Sequence, residues 1–156
     1  MHITLRKALL QDSERVLAWR NEETTIPWMG SMRALTRDEH ETWYIKTLQD
    51  PKSLFFIIEA NLEPAGQIRY VLTGERTAKV SINITQSMHG KGIASIAFRQ
   101  GSEQVRASGF AQDIFAYVLP NNIGSIRAME KAGYVRGETA DVRGVVHLMM
   151  IDQRRG

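Results

Sequence analysis

The sequence has no cysteine, few prolines and no long hydrophobic run, and each absence excludes a class of protein. Without cysteine there is no disulfide, no thiolate nucleophile and no cysteine-ligated zinc, and we assign no metal site. The longest unbroken run of aliphatic and aromatic residues, Leu54 to Ile58, is far shorter than the ~20 residues that cross a bilayer. Residues 1–4 carry no apolar signal region. We therefore expect a soluble, cytoplasmic protein.

A large excess of one charge is also lacking. The 20 Lys and Arg residues nearly balance the 17 Asp and Glu residues, leaving a net charge of +3. The basic residues are scattered, without the block of like charge that a nucleic-acid-binding tail carries. A length of 156 residues with 43% hydrophobic residues predicts one globular domain over 1–156. We expect no nucleic-acid or membrane partner, and both a monomer and a homodimer remain open.

Two periodicities in the sequence predict an α+β fold. Asp12 is a candidate N-cap for a helix over 13–20, and Thr36-Arg37-Asp38-Glu39 is a capping box that opens a second helix. Residues 21–35 have no clear period. The other expected elements are strands over 3–8, 54–58, 67–72, 79–85, 113–118, 134–138 and 145–151, a turn at Asn61–Gly66, and helices over 91–107 and 122–132. This order is typical of a mixed, mostly antiparallel sheet flanked by helices.

A glycine-rich turn, His89-Gly90-Lys91-Gly92-Ile93-Ala94, lies between a predicted strand and a predicted helix. Glycines let the backbone turn sharply and point successive N–H groups into one concavity, and the helix that follows adds its positive dipole end. Such a turn suits a phosphate, and Lys91 or His89 would add positive charge. A glycine turn without a ligand has the same composition. The segment matches neither the dinucleotide-binding nor the Walker pattern.

A second motif follows one strand later, and together the two resemble the GNAT acetyltransferase superfamily. The turn matches the family pattern Arg/Gln-x-x-Gly-x-Gly/Ala, with His89 in place of the usual Arg or Gln. The later family pattern is matched by Val118, Asn122, Ser125, Glu130, Lys131, Gly133 and Tyr134. The order of predicted elements agrees over essentially the whole chain.

The resemblance implies acetyl-CoA as co-substrate, with its pyrophosphate held by the amides of residues 89–94. The strand over 79–85 would splay from the strand over 113–118 and open a slot for pantetheine. Edge groups near Asn83 and Ile84 would pair with the pantetheine amides and donate to the oxyanion. Asn122 and Ser125 would close the other wall of the slot, although capping of the next helix explains them equally.

The reaction implied is direct attack of an amine on the thioester, which needs no covalent nucleophile. Many family members carry a Tyr as general acid immediately before the Glu-Lys pair, but here that residue is Met129. The thiolate would then leave unassisted, or water or Ser125 would protonate it. Glu59, near the end of a strand, is a candidate base through water, and a strand-end cap is its alternative.

The N-terminal half carries a pattern that bears on the acceptor. Its segments are Leu5-Arg6-Lys7-Ala8, Ala18-Trp19-Arg20-Asn21, Glu39-His40-Glu41-Thr42-Trp43 and Gly66-Gln67-Ile68-Arg69-Tyr70. They are similar to the acetyltransferases of bacterial nonulosonic (pseudaminic and legionaminic) acid pathways, which modify nucleotide-linked amino sugars. Ribosomal-protein N-terminal acetyltransferases share a looser version.

That likeness implies a small-molecule amine acceptor and a set of acceptor-binding residues. Arg20, Asn21 and Arg69 would bind the acceptor and its phosphates, Trp43 would stack on a sugar or base, and His40 would act as a base. A solvated Arg20 and a Trp43 buried in the core are the structural alternatives. A peptide N-terminal acetyltransferase and a non-catalytic acetyl-CoA-binding module stay open as other functions.

Overall fold

A seven-stranded sheet with helices on both faces makes up residues 1–29 and 33–153, which the computed structural model describes. The strands are β1 Ile3–Lys7, β2 Ser53–Ala60, β3 Glu63–Leu72, β4 Thr77–Ile84, β5 Asp113–Val118, β6 Tyr134–Val142 and β7 Val145–Asp152. The α-helices are α1 Ser13–Arg20, α2 Arg37–Gln49, α3 Ile93–Ala107 and α4 Ile123–Lys131. The order is β1-β2-β3-β4-β5-β7-β6, with β4 and β5 parallel and the other neighbours antiparallel. The predicted fold class is confirmed.

The sheet separates two apolar layers, and β2 contributes to both because it is buried on both faces. Phe56 and Ile58 pack with side chains from α3 and α4, whereas Phe55 and Ile57 pack with side chains from α1 and α2. This split follows the alternation of side chains along a strand. Within residues 1–29 and 33–153, no helix is long and apolar enough to cross a membrane.

The β2–β3 turn is shorter than the predicted turn over Asn61–Gly66. Asn61 and Leu62 alone make it, with φ of 50° and 69°, and β3 already begins at Glu63. Gly66 lies inside β3 opposite Ile84, where a Cβ would collide with the carbonyl oxygen of Asn83. Close approach of β4, rather than the turn, therefore requires glycine at position 66.

Asp12 occupies the N-cap position of α1 but makes no capping hydrogen bond, contrary to the prediction. Its fully buried carboxylate accepts hydrogen bonds from Arg6 at 2.8 and 2.9 Å, from Arg15 at 2.6 Å and from the Leu9 N–H at 2.8 Å. The hydrogen bonds from Arg6 lower the pKa of Asp12 to about 2. The carboxylate thus links β1 to α1, whereas the predicted capping box of Thr36 does form.

Candidate active site

A cleft opens where β4 and β5 separate. The two strands pair only from Thr77–Lys79 to Asp113–Phe115, after which β5 continues alongside β7. The gap that remains is a cleft of about 160 Å³. The predicted splay of these two strands is therefore present in the structure.

The cleft passes through the sheet, because alternate residues of its two strands face opposite layers. On the α3–α4 side its walls are apolar and include Val80, Phe98 and Met129. The remaining lining residues are Trp28, Ser81, Ile82, Ala116, Tyr117, Val118, Leu119, Asn122, Ser125 and His147. Ser81 and Tyr117 alternate with buried apolar residues, so they lie on the α1–α2 face. We call this polar end of the cleft its mouth.

The free edge of β4 toward the cleft is set by strand register. Thr85 N–H donates to the Ala65 carbonyl at 2.8 Å, and Gln67 lies opposite Asn83. Odd-numbered residues of β4 therefore direct their backbone groups to β3, and even-numbered residues direct theirs to the cleft. The backbone N–H groups that face the cleft belong to Ile82 and Ile84. Of the two residues whose N–H groups were predicted as oxyanion donors, Asn83 directs its N–H to β3 and Ile84 directs its N–H to the cleft.

The glycine turn leads into the N-terminus of α3 as predicted. Gly90 and Gly92 have φ of 78° and 77°, a left-handed conformation that favours glycine. No atom lies within 4 Å of a Cβ built on either residue. His89 Nε2 donates to the Ile84 carbonyl oxygen at 2.7 Å, which ties the turn to β4. The first turn of α3, including Ile93 and Ala94, has no acidic residue to compete with an anion, and Lys91 is exposed.

Asn122 and Ser125 cap α4 and also line the cleft. The Asn122 Oδ1 accepts a hydrogen bond from the Ser125 N–H at 3.3 Å, which caps α4. Both residues also line the cleft. The cap holds the start of α4 against the wall opposite β4.

Trp43 contacts two guanidinium groups. The Arg20 Cζ is 3.9 Å and the Arg69 Cζ is 5.0 Å from the centre of its ring. Burial, together with the nearby charge of Arg69, lowers the pKa of Arg20 to about 10, and burial also lowers the pKa of Arg69. No carboxylate within the described ranges pairs with either arginine. The ring of Trp43, which was predicted to stack on a sugar or base, thus contacts two cations of the chain itself.

Arg69 lies next to the mouth of the cleft, and Arg20 contacts the same Trp43 ring as Arg69. Arg69 on β3 lies directly opposite Ser81 of β4, which lines the cleft. Lys79 is two residues earlier on the same face of β4, and burial and the charge of Arg69 lower its pKa. We call Arg20, Arg69 and Lys79 the cation cluster. The sequence analysis missed Lys79, which the alternation of β4 could have placed beside Ser81.

His40 supports the cation cluster instead of acting at the cleft. The ring is 1% exposed, with Nε2 2.9 Å from the Ser13 carbonyl oxygen and Nδ1 3.1 Å from the Arg20 guanidinium. The carbonyl can only accept and the guanidinium can only donate, so the ring is neutral with its proton on Nε2. Burial lowers the pKa of His40, which favours this state. With both nitrogens engaged, His40 is not positioned to take a proton from a substrate.

Two other predicted site residues also lie outside the cleft lining. Glu59 accepts a hydrogen bond from Arg6 at 3.2 Å, next to Asp12 in the link between β1 and α1. Asn21 exchanges side-chain hydrogen bonds with the backbone of Leu35, at 3.0 and 2.7 Å, which closes the segment between α1 and α2. The structure gives these residues supporting roles.

The segment after α1 is held over the carboxyl end of β4. Glu22 accepts hydrogen bonds from the Thr85 hydroxyl at 2.7 Å and from the Gln86 N–H at 3.1 Å. Thr25 donates to the Asn83 side chain at 3.1 Å. These contacts bring Trp28 into the cleft lining. The sequence carried no signal for them, because the segment has no period. Its residues 30–32, part of the unassigned 21–35 stretch, lie outside the described ranges.

Comparison with known proteins identifies the family and the fold. A family model described as an acetyltransferase (GNAT) domain matches residues 2–135, whereas no curated protein matches the sequence. The chain is similar in structure to the aminoglycoside acetyltransferase AAC(6')-Ib in complex with ribostamycin and coenzyme A (TM-score 0.88, 21% identity, 99% of this chain and 94% of that chain). It is also similar to spermidine N-acetyltransferase from Vibrio cholerae with CoA and spermine (TM-score 0.83, 20% identity, 96% and 95%). A third similar structure is RimL, a ribosomal alpha-N-protein acetyltransferase, with coenzyme A (TM-score 0.83, 12% identity, 98% and 93%). At these identities the likeness shows a shared fold.

Proposed function

The chain belongs to the GNAT acetyltransferase domain family, and from this premise we propose that it transfers the acetyl group of acetyl-CoA directly to the amine of a nucleotide-linked amino sugar. Acetyl-CoA supplies an activated thioester. The protein supplies a slot that orients it, donors for the oxyanion and a site that holds the acceptor.

The residues present fit acetyl-CoA. The amides after Gly90 and Gly92 would bind the pyrophosphate at the N-terminus of α3, where the helix dipole favours an anion. The cleft would take pantetheine, whose amides would pair with the free edge of β4 as an added strand does. The N–H groups of Ile82 and Ile84 on that edge would donate to the developing oxyanion.

The cation cluster is the observation that carries the acceptor class. Arg20 and Arg69 are half-buried around one ring, and burying like charges without a counter-ion is costly. A phosphate at this site would remove that cost and accept charge-assisted hydrogen bonds from the guanidiniums. Lys79 adds a third cation beside the mouth. An acceptor rich in ammonium groups, such as an aminoglycoside or spermidine, would be repelled there.

A comparison of four acceptors tests this proposal. Uridine diphosphate glucosamine carries both an amine and a diphosphate, and glucosamine is its matched control without the diphosphate. Spermidine and a peptide with a free N-terminus represent the other acceptor classes. We expect a markedly higher kcat/KM for the nucleotide sugar than for glucosamine, and intersecting initial-rate patterns, because both substrates must be bound together. Efficient acetylation of the peptide with an inert nucleotide sugar would instead favour an N-terminal acetyltransferase, and CoA binding without turnover would favour a binding module.

Arg69→Ala tests the acceptor site separately from the cofactor site. Losing a charge-assisted hydrogen bond worth about 1.5–3 kcal/mol should raise the acceptor KM about 10- to 100-fold. The KM for acetyl-CoA should stay unchanged. Lys46→Ala, which removes an exposed cation from α2, is the matched control. Equal KM values in both variants would contradict the assignment.

A further inference from the structure

The reaction needs a base at the mouth of the cleft, and the two sequence candidates do not reach it. An amine must lose a proton as it becomes an amide, so a group that accepts protons near neutral pH is required. His40 has both nitrogens engaged, and Glu59 is paired with Arg6. The cleft lining itself contains His147.

Few side chains that line the cleft can exchange a proton. They are Ser81, Tyr117, Ser125 and His147. Imidazole is the one group among these types that takes up and releases a proton between pH 5 and 8. On this basis His147 is the candidate that the chemistry requires.

The tautomer of His147 also fits a base. Its Nδ1 is 3.0 Å from the Val145 carbonyl oxygen, which can only accept, so Nδ1 carries the proton in the neutral ring. Nε2 then keeps its lone pair, and among residues 1–29 and 33–153 no hydrogen-bond partner of Nε2 is present. Tyr117 holds the ring by an edge contact, with centroids 6.3 Å apart and planes at 71°.

Strand register places His147 on the acceptor side of the sheet. Tyr117 lies opposite Met149, so side chains at 149 and 147 share the face of Tyr117 and Ser81. In the order β3-β4-β5-β7, the cation cluster lies on the β3–β4 side of the mouth and His147 on the β7 side. An acceptor with its anion at one end and its amine at the other would therefore span the mouth.

We propose that His147 is the general base that takes the proton of the acceptor amine, a role that rests on the proposed acetyl transfer. The amine nitrogen attacks the thioester carbon, the N–C bond forms and the C–S bond breaks. The proton of the amine passes to Nε2 of His147. The sulfur leaves with the electron pair of the C–S bond as a thiolate, which the imidazolium then protonates. This return of the proton also supplies the acid that Met129 cannot provide.

The ionisable groups near His147 lie on β5, on β6 and in the β6–β7 turn. Tyr117 faces it from β5. On β6 its partner in register is Ala140, so the side chain of the next residue, Asp141, faces the other side of the sheet. In the β6–β7 turn, Arg143 lies close enough to Lys79, on the face of His147, for its charge to lower the pKa of that lysine. The Asp141 carboxylate accepts a hydrogen bond from the Gly144 N–H at 2.7 Å. From the segment after α1, the lining residue is Trp28, which does not titrate.

His147→Gln is the central test, because glutamine keeps a polar side chain of similar reach but cannot take a proton near neutral pH. With uridine diphosphate glucosamine, we expect kcat to fall about 100-fold or more while the KM for acetyl-CoA stays unchanged. The fall of the wild-type rate toward acid pH should disappear in the variant. His2→Gln, at an exposed position, is the matched control, and Tyr117→Phe separates loss of the tyrosine hydroxyl from loss of the base.

A second readout makes the test independent of the acceptor. Slow hydrolysis of acetyl-CoA, in which water replaces the amine, should also fall in His147→Gln and persist in His2→Gln. A variant that keeps the wild-type kcat and acid limb, in transfer or in hydrolysis, overturns the role of His147. If instead no amine is acetylated while hydrolysis depends on His147, the proposed acceptor is wrong and the base stands.

Discussion

Gly92→Ala should weaken the binding of CoA at a small cost in stability. Gly92 has φ of 77°, and a Cβ at this position meets no atom within 4 Å, so the variant causes strain without a clash. The left-handed conformation costs a residue with a Cβ about 1–2 kcal/mol. In a domain of this size that corresponds to a fall in Tm of roughly 2–8 °C.

The loss in affinity should be larger than the loss in stability. If the turn relaxes or its Cβ occupies the approach to the amides, one or two charge-assisted hydrogen bonds to the pyrophosphate are lost. Each is worth about 1.5–3 kcal/mol, so the Kd for CoA should rise about 10-fold for one bond and about 100-fold or more for two. Isothermal titration calorimetry with CoA measures this directly.

Gly109→Ala is the matched control for Gly92→Ala. Gly109 follows the C-terminus of α3, has the same φ of 77° and likewise has no atom within 4 Å of its Cβ. Both variants should lose similar thermal stability, but only Gly92→Ala should lose affinity. Equal Kd values for CoA in the two variants would show that the pyrophosphate is bound elsewhere.

Two further predictions concern residues whose roles the structure revised or combined. Asn122→Ala should lower the free energy of unfolding by about 1 kcal/mol and raise the KM for acetyl-CoA. Asn122→Ser keeps a capping oxygen and should restore the Tm. If the KM is unchanged in both variants, Asn122 acts only as the cap of α4. Asp12→Asn should lower the free energy of unfolding by about 1.5–3 kcal/mol, because the partly exposed Arg6 and Arg15 lose the charge of their buried partner. Folding lowers the pKa of Asp12 to about 2, so the wild-type carboxylate stabilises the fold at pH values above its unfolded pKa. This stabilisation is lost as the pH falls toward 2. Chemical denaturation between pH 2 and 6 should show the loss in the wild type and not in Asp12→Asn.

Features that depend on neighbouring residues were predictable from the sequence. The apolar run of β2 and the alternation of β4 placed these strands, and the capping box at Thr36 placed the start of α2. The glycine turn was recognisable because left-handed backbone and a helix start require particular residues within a few positions. Asp12 shows the limit of such reasoning, since two arginines compete with the cap for its carboxylate.

The roles of the histidines were decided by tertiary structure alone. His40 and Trp43 follow the same local pattern in the sequence, yet packing of α1 against α2 buries one ring against Arg20 and brings the other into contact with two guanidiniums. His147 reaches the cleft because β7 inserts between β5 and β6, a pairing that depends on residues distant in sequence. Local sequence determined the helices, most strands and the glycine turn before α3. The order of the strands and the separation of β4 from β5 decided which charged and titratable groups meet at the cleft. The physical reason is that burial and hydrogen-bond partners of these groups depend on packing between residues that are distant in sequence.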